Sequence, residues 1–173
     1  MITHRRPWFT SGLMAILLFA ALHVGALSPA TAADFDKGMT AYRSGDYQAA
    51  LAEWRPLAES GHATAQFNLG LMYELGTGAP QDYAGAVAWY RRAAEQGDAK
   101  AQSSLGVLYE LGRGVARDLV RTYVWYDLAA FNGSEKSQAR RNLLETVLSA
   151  EQITQAKARA RRCRDSNYRE CGD

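Results

Sequence analysis

The chain has 173 residues and 20 Lys and Arg against 18 Asp and Glu, a formal charge of +2. That balance excludes the strongly basic surface with which nucleic-acid-binding chains neutralise phosphate. Past an N-terminal segment described next, about 140 residues remain, which suits one domain with a continuous core.

Residues 1–33 have the three parts of a secretory signal: Arg5 and Arg6, an apolar run from Leu13 to Leu27, and the small residues SPATAA. The run carries His23 and falls short of the roughly 20 apolar residues a spanning helix needs. Cleavage near Ala32 or Ala33 is expected, with retention as an N-terminal anchor as the alternative. The signal takes two basic residues with it, so 18 basic face 18 acidic groups in the remainder. Residues 34–133 hold 9 basic and 12 acidic groups, and 134–173 hold 9 and 6. No cysteine ends the signal, so a lipid anchor is not expected, and the mature protein should be soluble and periplasmic. Export also places Cys163 and Cys171 where thiols tend to oxidise.

The next stretch, 34–61, reads as a leading helical hairpin, FDKGMTAYRSGDYQAALAEWRPLAESG. Pro56 falls inside its second helix, removes a backbone donor and is expected to kink it. Residues 62–97 and 98–133 then align without a gap and share 16 of 36 positions. A fixed period of this length signals stacked units that bury apolar faces against one another. The apolar spacing is helical, with Ala65, Leu69, Met72 and Tyr73 on one helix and Ala86, Trp89, Tyr90, Ala93 and Ala94 on the next. The linkers GTGAPQ and GRGVAR supply helix-ending glycines, and Asp82 and Asp118 stand where the second helices begin. Gly70 and Gly106 sit mid-helix, where glycine costs about 1 kcal/mol against alanine; such a cost suggests close contact with the paired helix.

Residues 134–163 continue the frame as a terminal pair, expected at Ser134–Leu148 and Ala150–Cys163, giving eight helices in all. Arg141 and Asn142 replace the repeated Leu-Gly pair, which suits a cap whose outer side faces water. The basic run Lys157–Arg164 reads as the solvated face of the last helix. In the tail, 164–173, Cys171 is close enough to Cys163 for a local disulfide, with free thiols or inter-chain bonding as the alternatives.

The pattern A-x-A-Q-x-x-L-G-x-x-Y-x-x-G-x-G…D…W-Y-x-x-A-A-x-x-G at 63–97 and 99–133 resembles the Sel-one-like repeat (SLR) family, a relative of the tetratricopeptide repeat. The leading unit, with Gly38, Gly45-Asp46-Tyr47, Ala50 and Trp54, is closer to the tetratricopeptide form. The resemblance implies an all-α, right-handed superhelical solenoid of helix-turn-helix repeats. It also implies a disulfide between Cys163 and Cys171, since the C-x7-C spacing is similar to the staple of cysteine-rich SLR proteins. Exported SLR proteins act as adaptors or as inhibitors of envelope signalling, which implies a protein or peptide partner.

In the tetratricopeptide architecture the first helix of each pair lines a concave groove. Transferred by register, the groove positions are Phe35, Met39 and Tyr42, then Thr64, Phe67, Leu71 and Glu74, then Lys100, Ser103, Val107 and Glu110. Leu69, Tyr73, Leu105 and Tyr109 should point into the core. Phe67 stands out because its copy is Ser103, so the fold does not demand an aromatic there; packing against Phe35 or Met39 is its alternative role.

Catalytic chemistry finds little support. His62 is the one histidine outside the signal, too few for an ordinary metal site, and no nucleophile-elbow sequence accompanies it. The glycine stretches LGTGA and LGRGV lack the Lys-Ser/Thr and the preceding strand of a phosphate loop. Glu74 and Glu110 recur as part of the repeat. No catalytic residue, metal or cofactor is expected. Two other roles stay open, a cell-wall or polysaccharide-associated component and a β-lactam-binding or hydrolysing protein, the latter disfavoured by the single cysteine pair.

Overall fold

A computed structural model describes residues 33–171, so the secretory-signal reading lies almost wholly outside the described residues. Eight α-helices and no strand occur among them: α1 Phe35–Ser44, α2 Tyr47–Glu59, α3 Ala63–Leu75, α4 Tyr83–Ala94, α5 Ala99–Leu111, α6 Leu119–Phe131, α7 Glu135–Leu144 and α8 Ala150–Asp165. From α1 to α7, each helix packs on the next. The result is a helical repeat solenoid.

Side chains that accept free backbone N–H groups start every helix. Asp82 takes Gly85 N–H at 3.0 Å, and Asp118 takes Val120 and Arg121 N–H at 2.9 and 3.0 Å. His62 does the same for α3, its Nδ1 accepting from Ala65 N at 3.2 Å. Left-handed glycines, Gly76 and Gly112, end α3 and α5.

The core follows the period. Trp54, Tyr90 and Tyr126, spaced by 36, are buried, and each ring lies across a glycine of the paired first helix. A β-carbon on Gly70 would stand 2.5 Å from Tyr90 Cδ1; one on Gly38 or Gly106 would run into Trp54 or Tyr126. The mid-helix glycines therefore admit an aromatic ring. Leu69 and Leu105 are fully buried and Tyr109 nearly so. Tyr73 is half-buried, with its hydroxyl accepting from Arg55 Nη2 at 3.1 Å. Trp89 is also half-buried, and the Arg92 guanidinium stands 4.4 Å from its ring centroid.

The long linkers reach backward. Gly78 lies against the Tyr47 carbonyl and Gly114 against the Tyr83 carbonyl, each at the start of the preceding unit's second helix. Gln48 Nε2 donates to Gly78 O at 2.6 Å across the same seam. The α1–α2 linker is only two residues, 45–46, against seven in each of the long linkers.

The C-terminal pair departs from expectation. α7 ends at Leu144 rather than Leu148, because the backbone bonds shift to i+3 from Glu145 to Val147 and Thr146 Oγ1 takes the Leu143 carbonyl at 2.7 Å. α8 runs on to Asp165, two residues past Cys163, and its principal packing partner is α6. Arg141 and Arg164 converge on Asp127 at 2.8 and 2.7 Å, holding α7 and α8 to α6. The Cys163–Cys171 disulfide is present, with a Cα separation of 4.6 Å. It folds the tail back so that Tyr168 lies on Gly97 and donates to Asn132 Oδ1 at 2.9 Å. Asn132 in turn donates to Gln102 Oε1 at 2.9 Å, and Gln102 donates to the Ala94 carbonyl at 3.0 Å.

Candidate protein-binding face

The residues assigned to the groove are distributed over α1, α3 and α5, and their surroundings divide them into three groups. Phe35, Met39 and Tyr42 pack on the N-terminal core cluster around Trp54. Phe35 stacks on Trp54 at 5.9 Å and on His62 at 5.1 Å, while Tyr42 meets Trp54 at 5.5 Å and Tyr47 at 5.2 Å. Phe67, Leu71 and Val107 are half-buried against the second, larger cluster. The Phe67 ring rests on Tyr90, with centroids 5.6 Å apart.

The polar members are held by the repeat. Tyr90 donates its hydroxyl to Glu74 Oε2 at 2.6 Å, and Tyr126 does the same to Glu110 Oε2 at 2.5 Å. Burial above all, and then these carboxylate bonds, raise both phenols above the ordinary tyrosine value. Arg140 donates to Glu110 and to the Tyr126 hydroxyl, both at 3.1 Å, and the hydroxyl contact helps to raise its own pKa. Ser103 Oγ accepts from Ser137 Oγ at 3.0 Å, joining α5 to α7. Thr64 and Lys100 are exposed. Lys100 and Ser103 also line a depression of about 350 Å³ with Asn132 and Gly133.

Extending the 36-residue frame reveals a face that residue-by-residue transfer missed. Leu75 and Leu111 follow Leu71 and Val107 by one helical turn and are 54% and 52% exposed. The same two positions in α7 and the turn after it are Leu143 and Val147, 67% and 66% exposed. Two successive first helices therefore each present an i, i+4 apolar pair, and the same spacing recurs at the end of α7 and in the turn after it. The signal was available in the period itself, since Leu143 lies one period beyond Val107 and two beyond Leu71.

Little here resembles a catalytic centre. His62 is occupied as a helix cap and by its ring contact with Phe35. No group of three or more His, Cys, Asp or Glu side chains that could hold a metal occurs among the described residues. None of the described helices is long and apolar enough to cross a membrane.

Comparison with known proteins agrees with the repeat architecture. The Sel1 repeat model matches residues 63–98 and 99–134. Among solved structures, the chain is similar to c5321, a protective antigen present in uropathogenic Escherichia coli strains that displays an SLR fold. The identity is 37% and the TM-score 0.67, over 70% of this chain and 27% of that one. It is also similar to a Sel1 repeat protein from Oxalobacter formigenes, at 32% identity and a TM-score of 0.62, over 64% of this chain and 46% of that one. The chain thus spans less than half the length of either structure. No curated protein sequence matches it.

Proposed function

We propose that this chain, which carries two matches to the Sel1 repeat, a repeat found in general in protein–protein interaction scaffolds, is an exported, non-enzymatic adaptor of the bacterial envelope. Its partner is a protein or peptide held in the concave groove that the first helices line, and regulation of envelope signalling is the role that the resemblance to exported SLR proteins suggests. The observation that carries this reading is the repeated apolar pair, Leu71 and Leu75, Val107 and Leu111, Leu143 and Val147, all half-buried or exposed rather than consumed by the core. An amphipathic or extended segment buries such a face in the usual modes of peptide recognition. The secretory-signal pattern and the Cys163–Cys171 disulfide support an oxidising, exported setting.

Photo-crosslinking in intact cells tests this. A benzophenone side chain at exposed Thr64 or Lys100 should give a discrete crosslinked band that is absent with the same probe at exposed Ala88, on α4. Equal crosslinking at all three positions would contradict a binding face on the first helices. A fusion of residues 1–40 to alkaline phosphatase should be active only if export occurs.

A further inference from the structure

The two full repeats differ in charge around the ends of their first helices. Thr77 and Gln81 of the first repeat are neutral, and one period later the same positions are Arg113 and Arg117; a third arginine, Arg140, stands on α7, one period beyond Ser104 of the second repeat. The acidic positions do not change, since Glu74 and Asp82 become Glu110 and Asp118. Only Arg140 of the three arginines meets a carboxylate among the described residues, Glu110 at 3.1 Å. Arg117 is exposed and donates its Nε–H to the Glu110 backbone carbonyl at 3.0 Å. Arg113 is exposed as well, its guanidinium 5.3 Å from the Tyr83 ring centroid.

An open cleft of about 540 Å³ is lined by Arg117, Arg140 and Glu110 together with Leu119, Leu143, Leu144 and Val147. Leu143 and Val147 are two-thirds exposed, and Leu111, one helical turn beyond Val107, is half exposed. Apolar surface and the Arg117 guanidinium, which meets no carboxylate among the described residues, thus coincide in this cleft.

We propose that this cleft docks an acidic, apolar segment of a partner protein. An apolar side chain enters among Leu119, Leu143 and Val147, and a neighbouring carboxylate meets Arg117. Arginine suits the task because its planar fork grips a carboxylate by two parallel bonds. The proposal rests on the protein-binding reading above and adds to it the chemistry of the partner. Interspersed Glu110 and Asp118 make the patch a mixed one, unlike the unbroken polybasic clusters that attract anionic lipid.

The test selects binders from a displayed library of random peptides of about 12 residues, a length that suits groove recognition, against the purified chain. The winners are then titrated by fluorescence anisotropy. The expected winners combine Asp or Glu with Leu, Ile or Phe, bind more weakly as salt rises, and lose roughly tenfold in affinity with Arg117→Glu and with Leu143→Asp. Both sites are exposed, so unchanged circular dichroism is expected of each variant. Winners without acidic residues, or binding lost in Phe67→Ala yet unaffected at Arg117 and Leu143, would overturn this inference while leaving the protein-binding reading intact. No winners at all would overturn both. Binding of phosphatidylglycerol vesicles, or self-association measured by sedimentation, that is abolished by the same two substitutions while peptides fail to bind, would replace the acidic segment with a membrane or a second copy.

Discussion

The hairpins α3–α4 and α5–α6 share their core and differ on their outer faces. Leu69 and Leu105 are equally buried, Gly70 and Gly106 admit Tyr90 and Tyr126 in the same way, and Glu74 and Glu110 accept the same phenol hydroxyls. Around this common frame, Phe67 becomes Ser103, Thr64 becomes Lys100, and the linker residues Thr77 and Gln81 become Arg113 and Arg117. The difference teaches where constraint acts. Positions that close a helix, admit a ring or fill the core repeat, whereas those facing solvent on the first helices are free to specialise.

The shared core makes the largest prediction. Leu69→Ala and Leu105→Ala should each cost roughly 2–5 kcal/mol, as buried leucines do, and the two costs should agree within about 1 kcal/mol in denaturant melts. A difference beyond the usual spread at constant chemistry would break the equivalence of the two units.

Removal of the disulfide should separate the units next. Replacing Cys163 and Cys171 by Ser should lower stability by roughly 2–3 kcal/mol in the chain-entropy model. Hydrogen exchange should quicken more in α6 and α8 than in α3, because Tyr168 braces Asn132 of the second hairpin. Uniform loosening would remove that bracing role.

A smaller effect distinguishes the two phenols. Tyr90→Phe should cost about 1.5–3 kcal/mol, the range for a hydrogen bond to a charged group. Tyr126→Phe should cost less, since Glu110 retains Arg140. Both hydroxyls hold their protons more tightly folded than unfolded, because burial and then the neighbouring carboxylate raise their pKa. Their stabilisation is therefore complete below the ordinary tyrosine value of about 10 and is lost as pH climbs above it. Urea midpoints taken between neutral pH and pH 11 should fall for the native chain, and less steeply for either Phe variant.

The smallest loss is expected at Phe67→Ala. The ring is half-buried on Tyr90, so about 1 kcal/mol should go with its partial burial. A cost approaching that of Leu69→Ala would move Phe67 from the binding face into the core.

Much of this frame was legible in the residues. The period located the hairpins, Asp82 and Asp118 announced helix starts, and the mid-helix glycines announced a close approach. What approached was not foreseen, because a glycine signals space without naming its occupant; here it is an aromatic ring. Phe67 rests on Tyr90, a contact that depends on how α3 and α4 pack. Beyond Gly133 the repeat weakens, and local pattern carries little information about α8, which is tied to α6 by the long-range pair of Arg164 with Asp127. The disulfide followed from family likeness, but the reach of Tyr168 to Asn132 did not. The apolar pairs at the ends of α3 and α5 and just past α7 were visible at the period of 36 and become meaningful once their exposure is known.

The central claim is that the repeated core presents a variable first-helix face to a partner. Hydrogen–deuterium exchange of the chain alone and with a bound peptide or crosslinked partner tests it most directly. The account predicts added protection in α3, α5 and α7, strongest around Leu111, Leu143 and Val147, with α4 and the outer side of α8 unchanged. Protection confined to α4 or α8, with none on the first helices, would contradict it.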